Sequence, residues 1–160
     1  MVVNNNDTAV KLHDELANKW SSFYLNGSFY RRERIFRDII SRNVVKGTCW
    51  LDAGCGSGVL SESLLDHGAY VHAIDASASM VDEAINHFRK STNGKSIEIR
   101  RVNTIESLDI DGKTYDGILC SSVIEYVDKP ESVLREFLRV LKPGGVLVIS
   151  VPNSRSVIRI

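Results

Sequence analysis

Long apolar runs, paired cysteines and an excess of either charge are all missing from these 160 residues. No stretch approaches the roughly 20 consecutive apolar residues of a membrane-spanning helix, and nothing at the N-terminus resembles a signal peptide. The three cysteines, Cys49, Cys55 and Cys120, form no CxxC pair. That argues against a disulfide framework and for a reducing, cytoplasmic setting, where they serve as small buried hydrophobes in or beside strands. No metal site is expected. The 20 basic and 20 acidic side chains cancel, so charge draws the chain neither to nucleic acid nor to an anionic membrane, and the expected partner is a small molecule. Internal repeats, low-complexity tracts and long linkers are absent too. With 43% hydrophobic and 25% charged residues, the chain is expected to fold as one domain spanning residues 1–160.

Periodicity divides that domain into N-terminal helices within residues 1–45 and a core over 46–152. Residues 1–8 are polar and read as a frayed start. Val10, Leu12, Leu16, Ala17 and Trp20 suit one face of a helix from about Ala9 to Trp20; Phe29, Ile35, Phe36, Ile39 and Ile40 suit a second from Ser28 to about Asn43. Arg31, Arg32 and Arg34, interrupted by Glu33, read as a solvated helix face. Strands and helices then alternate. Strands are expected at Cys49–Asp52, Tyr70–Asp75, Ile97–Val102, Gly117–Cys120 and Val146–Val151, the third as an edge strand. Helices are expected from Gly58 to about His67, with Ser57 as N-cap and Gly68 past the end, from Ser79 to Lys90, and from about Pro130 to Leu141. The stretches 91–95 and Pro143–Gly145 read as loop and turn. Such alternation, with nearly continuous apolar runs such as VLVISV, predicts an α/β fold: a doubly wound, Rossmann-like, mostly parallel sheet with helices on both faces.

In such sheets ligands bind at the carboxyl ends of the strands. Gly54, Gly56 and Gly58 stand there, between the first strand and its helix. Bare backbone there can turn sharply and touch a ligand, beside the unpaired N–H groups of a helix start. The dinucleotide fingerprint G-x-G-x-x-G fails, because Val59 occupies its sixth position, and no Gly-Lys-Ser or Gly-Lys-Thr suggests a phosphate loop. Asp75 ends the second strand, where a carboxylate can accept hydrogen bonds from both hydroxyls of a ribose.

LDAGCGSG, Asp75 in VHAIDAS, YDGILCSSVIEYV and LKPGGVLVIS together resemble the class I S-adenosylmethionine-dependent methyltransferases, over about residues 48–152. NTIESL and VPNSRS are most similar to the small-molecule O-methyltransferases of the ubiquinone-biosynthesis type. The resemblance implies S-adenosylmethionine as cofactor, S-adenosylhomocysteine as product and a small-molecule methyl acceptor, with an oxygen preferred to a nitrogen or carbon. It implies that Asp52, Ala53, Gly54, Gly56 and Gly58 form the turn along the methionine part, that Asp75 holds the ribose, and that Ala76, Ser77 and Met80 line the adenine; Met80 reads equally as core. Thr104 stands where the family often has an acidic residue for the adenine amino group, its hydroxyl and the Ile105 backbone being what the resemblance leaves to meet the adenine edge, and Glu106 reads as an exposed loop charge. Cys120, Ser121 and Ser122 would flank the methyl group. Glu125 and Tyr126 occupy the place of a frequent Glu-His pair and are the catalytic candidates. The four histidines, His13, His67, His72 and His87, fall outside that loop and read as surface or partly packed.

The aromatic residues Trp20, Phe23, Tyr24, Phe29 and Tyr30 read either as a lid over the cofactor or as packing on the sheet. The family sheet usually carries an antiparallel hairpin beside its fifth strand, and residues 152–160 are too few to form it. The chain is therefore expected either to be a fragment or to pair its fifth-strand edge with another copy or another protein. Two further functions stay open: a non-catalytic cofactor-binding partner of an active methyltransferase, and a dinucleotide oxidoreductase, which Val59 argues against.

Overall fold

The apolar residues of the strands alternate between two faces, and that alternation organises the molecule. In the computed structural model, which describes residues 5–25, 27–91 and 96–152, β1 (Cys49–Ala53), β2 (Tyr70–Asp75), β3 (Ile97–Arg101), β4 (Tyr115–Cys120) and β5 (Leu141–Ile149) form one sheet. Its order is β3-β2-β1-β4-β5, and every pair is parallel. Trp50 stands opposite Val71 and Gly117, and Asp52 opposite Ala73 and Leu119. On one face Trp50, Val71, Ala73, Leu119 and Val148 pack with Phe36 and Ile40 of α2 (Gly27–Asn43), Leu60, Leu64 and Leu65 of α3 (Val59–Asp66), and Phe88 of α4 (Ala78–Ser91). On the other, Leu51, Ala53, Ile74, Ile118 and Cys120 pack with Val133, Phe137 and Val140 of α5 (Pro130–Val140) and with Ile105 and Leu108. The sheet is thus covered on both faces, as the alternation predicts.

Several boundaries differ from the sequence expectation. The first helix, α1, runs Asn5–Phe23, longer than its apolar stripe, because propagating a helix costs far less than nucleating one. Gly58, not Ser57, stands at the N-cap of α3, with φ 85° and no side-chain cap; the Ser57 hydroxyl is buried without a hydrogen-bond partner among the described residues. Gly68 does follow the end of α3, with φ 82°. The turn expected at Pro143–Gly145 lies inside β5 as a wide bulge. Tyr115 pairs with Leu141 and Gly117 with Val146, so one residue of β4 opposes four of β5, and Gly144 supplies the positive φ of 80°. Of the expected frayed start, residues 1–4 lie outside the described residues, as do 92–95 of the expected loop and 153–160, which include most of VPNSRS.

Gly117 decides how closely the β1–β4 seam packs. A Cβ there would sit 2.4 Å from the Trp50 indole, and that indole is 1% exposed. Gly117→Ala is therefore expected to cost about 2–3 kcal/mol through overpacking, read as a lowered urea midpoint with an unchanged slope.

Candidate functional site

The chain leaves β3 at one edge and re-enters on the far side of β1 as β4. This reversal opens a crevice at the carboxyl ends of β1 and β4. There the glycine turn folds back on β2: the Gly54 and Cys55 N–H groups both donate to the Ile74 carbonyl, at 2.8 and 3.0 Å. Gly54 and Gly56 have φ of 79° and 53°, left-handed values that suit glycine. Asp75 links the turn to the next helix, one carboxylate oxygen accepting the Gly56 N–H and the other the Ser77 N–H, both at 2.9 Å. Ser77 caps α4, its hydroxyl accepting the Met80 N–H at 3.0 Å.

A cleft opens over this assembly. From the sequence candidates it brings together Gly54, Gly56, Asp75, Ala76, Ser77, Met80, Thr104, Ile105, Ser121, Ser122 and Tyr126. Met80 is also 1% exposed, so both of its readings hold at once. The Thr104 hydroxyl accepts the Glu106 N–H at 3.0 Å. Asp52, Ala53, Gly58 and Cys120 do not line the cleft: they are buried beneath it. The two serines after β4 are tightly set. Ser122 has φ 58°, a strained value for a residue with a side chain, and its N–H donates to the Ser150 hydroxyl at 2.7 Å. Glu125 is exposed and stands outside the cleft lining, whereas its neighbour Tyr126 faces in.

Two expectations are overturned. Arg32 is not on a solvated face: it lines the cleft, lies over the Phe29 ring at 4.4 Å and donates to the Ser122 hydroxyl. His13 is not remote from the loop after β4: it lines the cleft, its ring edge-on to Tyr126 at 5.4 Å and to Trp20 at 4.9 Å. His67, His72 and His87 do stand elsewhere, beside Ser63, Tyr115 and Glu62 respectively. Of the N-terminal aromatics, Trp20, Tyr24 and Phe29 line the cleft, while Phe23 packs on Trp20 and Phe29, and Tyr30 is exposed. Glu106 lines the cleft as well. One sequence signal for His13 exists in hindsight: with Trp20 it lies on one helical face, seven residues apart.

Asp14 explains why α1 sits here. Its carboxylate accepts the Ser77 hydroxyl and, at 3.2 Å, the Ser79 N–H. These bonds at the start of α4 hold its pKa below the ordinary carboxylate range, the Ser77 hydroxyl contributing most.

Beneath the glycine turn, Asp52 is 2% exposed and accepts the Ser61 hydroxyl at 2.5 Å. Burial, and to a lesser degree the nearby Asp75 charge, raises its pKa from 3.8 to about 7. Burial raises Asp75 too, against the N–H bonds from Ser77 and Gly56. Because the folded chain binds the Asp52 proton more tightly than the unfolded chain, this contribution to stability is complete below about pH 4 and is lost as pH rises to about 7. Asp52→Asn is expected to remove that loss: its melting temperature should match the wild type near pH 4.5 and exceed it at pH 8, checked by calorimetry across that range.

Parallel strands, a glycine turn at the sheet's reversal and a carboxylate at the end of β2 define a nucleotide-cofactor-binding α/β domain. The chain belongs to the methyltransferase domain family, which it matches over residues 51–149. It is 37% identical over 109 residues to a ubiquinone biosynthesis O-methyltransferase of Coxiella burnetii, covering 68% of this chain and 45% of that protein. To the enzyme of the same description from Hahella chejuensis it is 33% identical over 149 residues, covering 90% and 60%. An S-adenosylmethionine-dependent methyltransferase from Mesorhizobium loti superposes with a TM-score of 0.58 at 28% identity, over 66% of this chain and 47% of that one. The chain spans about half the length of the curated relatives it matches. S-adenosylmethionine is the cofactor of this family, and S-adenosylhomocysteine its product. Among the described residues, no helix is long and apolar enough to cross a membrane.

Proposed function

We propose that this chain binds S-adenosylmethionine in the cleft and directs its methyl group to a hydroxyl oxygen of a small molecule. The observation that carries the reading is Asp75, a carboxylate tied to the glycine turn through Gly56 and to α4 through Ser77. Each of its oxygens keeps a second lone pair, enough to accept both hydroxyls of a ribose. The turn fits the rest of the cofactor. At Gly56 a Cβ would point toward Trp20, 3.3 Å from the indole nitrogen, so bare backbone faces the space where the methionine tail would lie. Arg32, beside Ser122 at that end, supplies a guanidinium for the tail's carboxylate. Ala76, Ser77, Met80, Thr104 and Ile105 would border the adenine; Ser121 and Ser122 would border the sulfur. Asp52, Ala53, Gly58 and Cys120 act from below by fixing the turn.

Bound there, the cofactor supplies a methyl group already activated on a sulfonium, which leaves the protein mainly to align an acceptor and exclude water. A net charge of zero favours a small acceptor over nucleic acid. The three free cysteines favour a cytoplasmic setting. The outer edge of β5, without a strand partner among the described residues, is the surface through which a second copy would pair.

S-adenosylhomocysteine at about 100 times its dissociation constant is expected to add about 2.7 kcal/mol of stability, a shift of several degrees, and NAD none. A shift with NAD and none with S-adenosylhomocysteine would turn the reading toward a dinucleotide enzyme.

A further inference from the structure

The cleft offers few groups able to take up a proton near neutral pH. The Arg32 guanidinium is a donor with no acceptor site. Burial holds the Tyr24 and Tyr126 phenols above their ordinary range, and the Cys55 thiol well above its own. Both oxygens of Asp75 accept backbone N–H groups, and in the proposed complex their second lone pairs accept the ribose hydroxyls. Glu106 belongs to the loop after β3, at the adenine end of the proposed cofactor. Among the described lining residues that leaves His13, whose neutral imidazole carries a ring nitrogen able to accept a proton. Its ring bridges from α1 to the turn after β4 through the edge-on contact with Tyr126, and it shares the cleft with the Asp75 carboxylate. The neighbouring Asp14 bonds Ser77 and Ser79, which fixes this stretch of α1 over the cleft.

We propose that His13 is the proton acceptor of the transfer step, delivered from helix α1 rather than from the loop after β4; this rests on the cofactor reading above. An imidazole nitrogen takes the proton of the acceptor hydroxyl as the oxygen–carbon bond forms and the methyl–sulfur bond breaks, its electron pair staying on sulfur. One positive charge disappears from the sulfonium and one appears on the imidazolium. The titratable and charged groups that share the cleft with the ring are Asp75 from β2, Cys55 from the glycine turn, Tyr126 from the turn after β4, Tyr24 from the turn before α2, Arg32 from α2 and Glu106 from the loop after β3, with Glu125 next to Tyr126 and Asp14 next to His13 along the chain.

The test uses the 160-residue chain labelled at histidine 13Cε1, titrated by NMR in saturating S-adenosylmethionine and, separately, in S-adenosylhomocysteine. The two ligands differ by one methyl group and one positive charge. A sulfonium within about 6 Å of the ring opposes its protonation, so the His13 resonance is expected to titrate about one pH unit lower with S-adenosylmethionine. Coincident titrations overturn the proposal. His13→Gln is expected to keep its S-adenosylhomocysteine affinity within about threefold by calorimetry. With catechol as acceptor probe, it should transfer radiolabelled methyl about 100-fold more slowly and lose the rise in rate between about pH 6 and 8. A variant that keeps this rise also overturns the proposal. If S-adenosylhomocysteine binds while the titrations coincide, only the role of His13 falls; if it does not bind at all, the cofactor reading falls with it.

Discussion

Asp75→Ala is expected to weaken S-adenosylhomocysteine binding by at least about 100-fold in calorimetric titration. In the proposed complex, two charge-assisted hydrogen bonds from a ribose, at about 1.5–3 kcal/mol each, would account for that factor on their own. The alanine also frees the Gly56 and Ser77 N–H groups, so the glycine turn loses its tie to α4. The stability of the free chain should change much less than its affinity. Burial already works against the Asp75 charge, so losing that desolvated carboxylate offsets part of the lost bonding. Asp75→Asn keeps one acceptor oxygen and should fall between, about tenfold weaker. Tyr126→Phe, which removes a hydroxyl but leaves the ring against His13, should bind within about twofold of the wild type. If Asp75→Ala bound as tightly as the wild type, the cofactor would not lie where the glycine turn and β2 meet.

Gly54→Ala should be the most damaging single substitution in the turn, costing about 3 kcal/mol in urea unfolding. Two strains combine. The left-handed backbone, φ 79°, costs a residue with a Cβ about 1 kcal/mol. The added methyl would stand 2.1 Å from Val123 Cγ2, well inside the roughly 3.5–4.0 Å of normal carbon contact. Val123 has little room to retreat. Its predecessor Ser122 is held by Ser150 and Arg32, and its own carbonyl accepts the Tyr126 N–H at 2.9 Å. Adding Val123→Ala removes the clash but not the backbone strain, so the double variant should recover roughly half of the loss. A double-mutant cycle isolates that coupling; strict additivity would show that the two residues do not meet.

The core of the fold was legible because it rests on local pattern. Alternating apolar residues and a glycine turn before a helix specify parallel strands, their covering helices and the carboxyl-edge site. β2 falls on its expected bounds of Tyr70 and Asp75, since polar or glycine-rich segments flank it. Capping and the β5 bulge were less legible. Whether Ser57 or Gly58 ends up at the start of α3 depends on the φ of 85° that packing against Phe88 and Ala84 accommodates. The stretch Lys142–Gly145 stays within β5 because its neighbours hold it to β4, including Lys142 paired with Asp116 at 2.8 Å.

By itself, the sequence determined which residues can turn sharply, which carboxylate ends the second strand and which faces must be buried, because those properties belong to side chains and their nearest neighbours along the chain. Only the tertiary structure decided that α1 and α2 close over the cleft. The Asp14 contacts with Ser77 and Ser79 span 63 and 65 residues, and the Arg32 contact with Ser122 spans 90. No periodicity within a helix encodes which distant element its polar face will meet. An arginine among charges and a histidine in a polar stretch look solvated until the chain folds back, and folding is what turns them toward the strand ends.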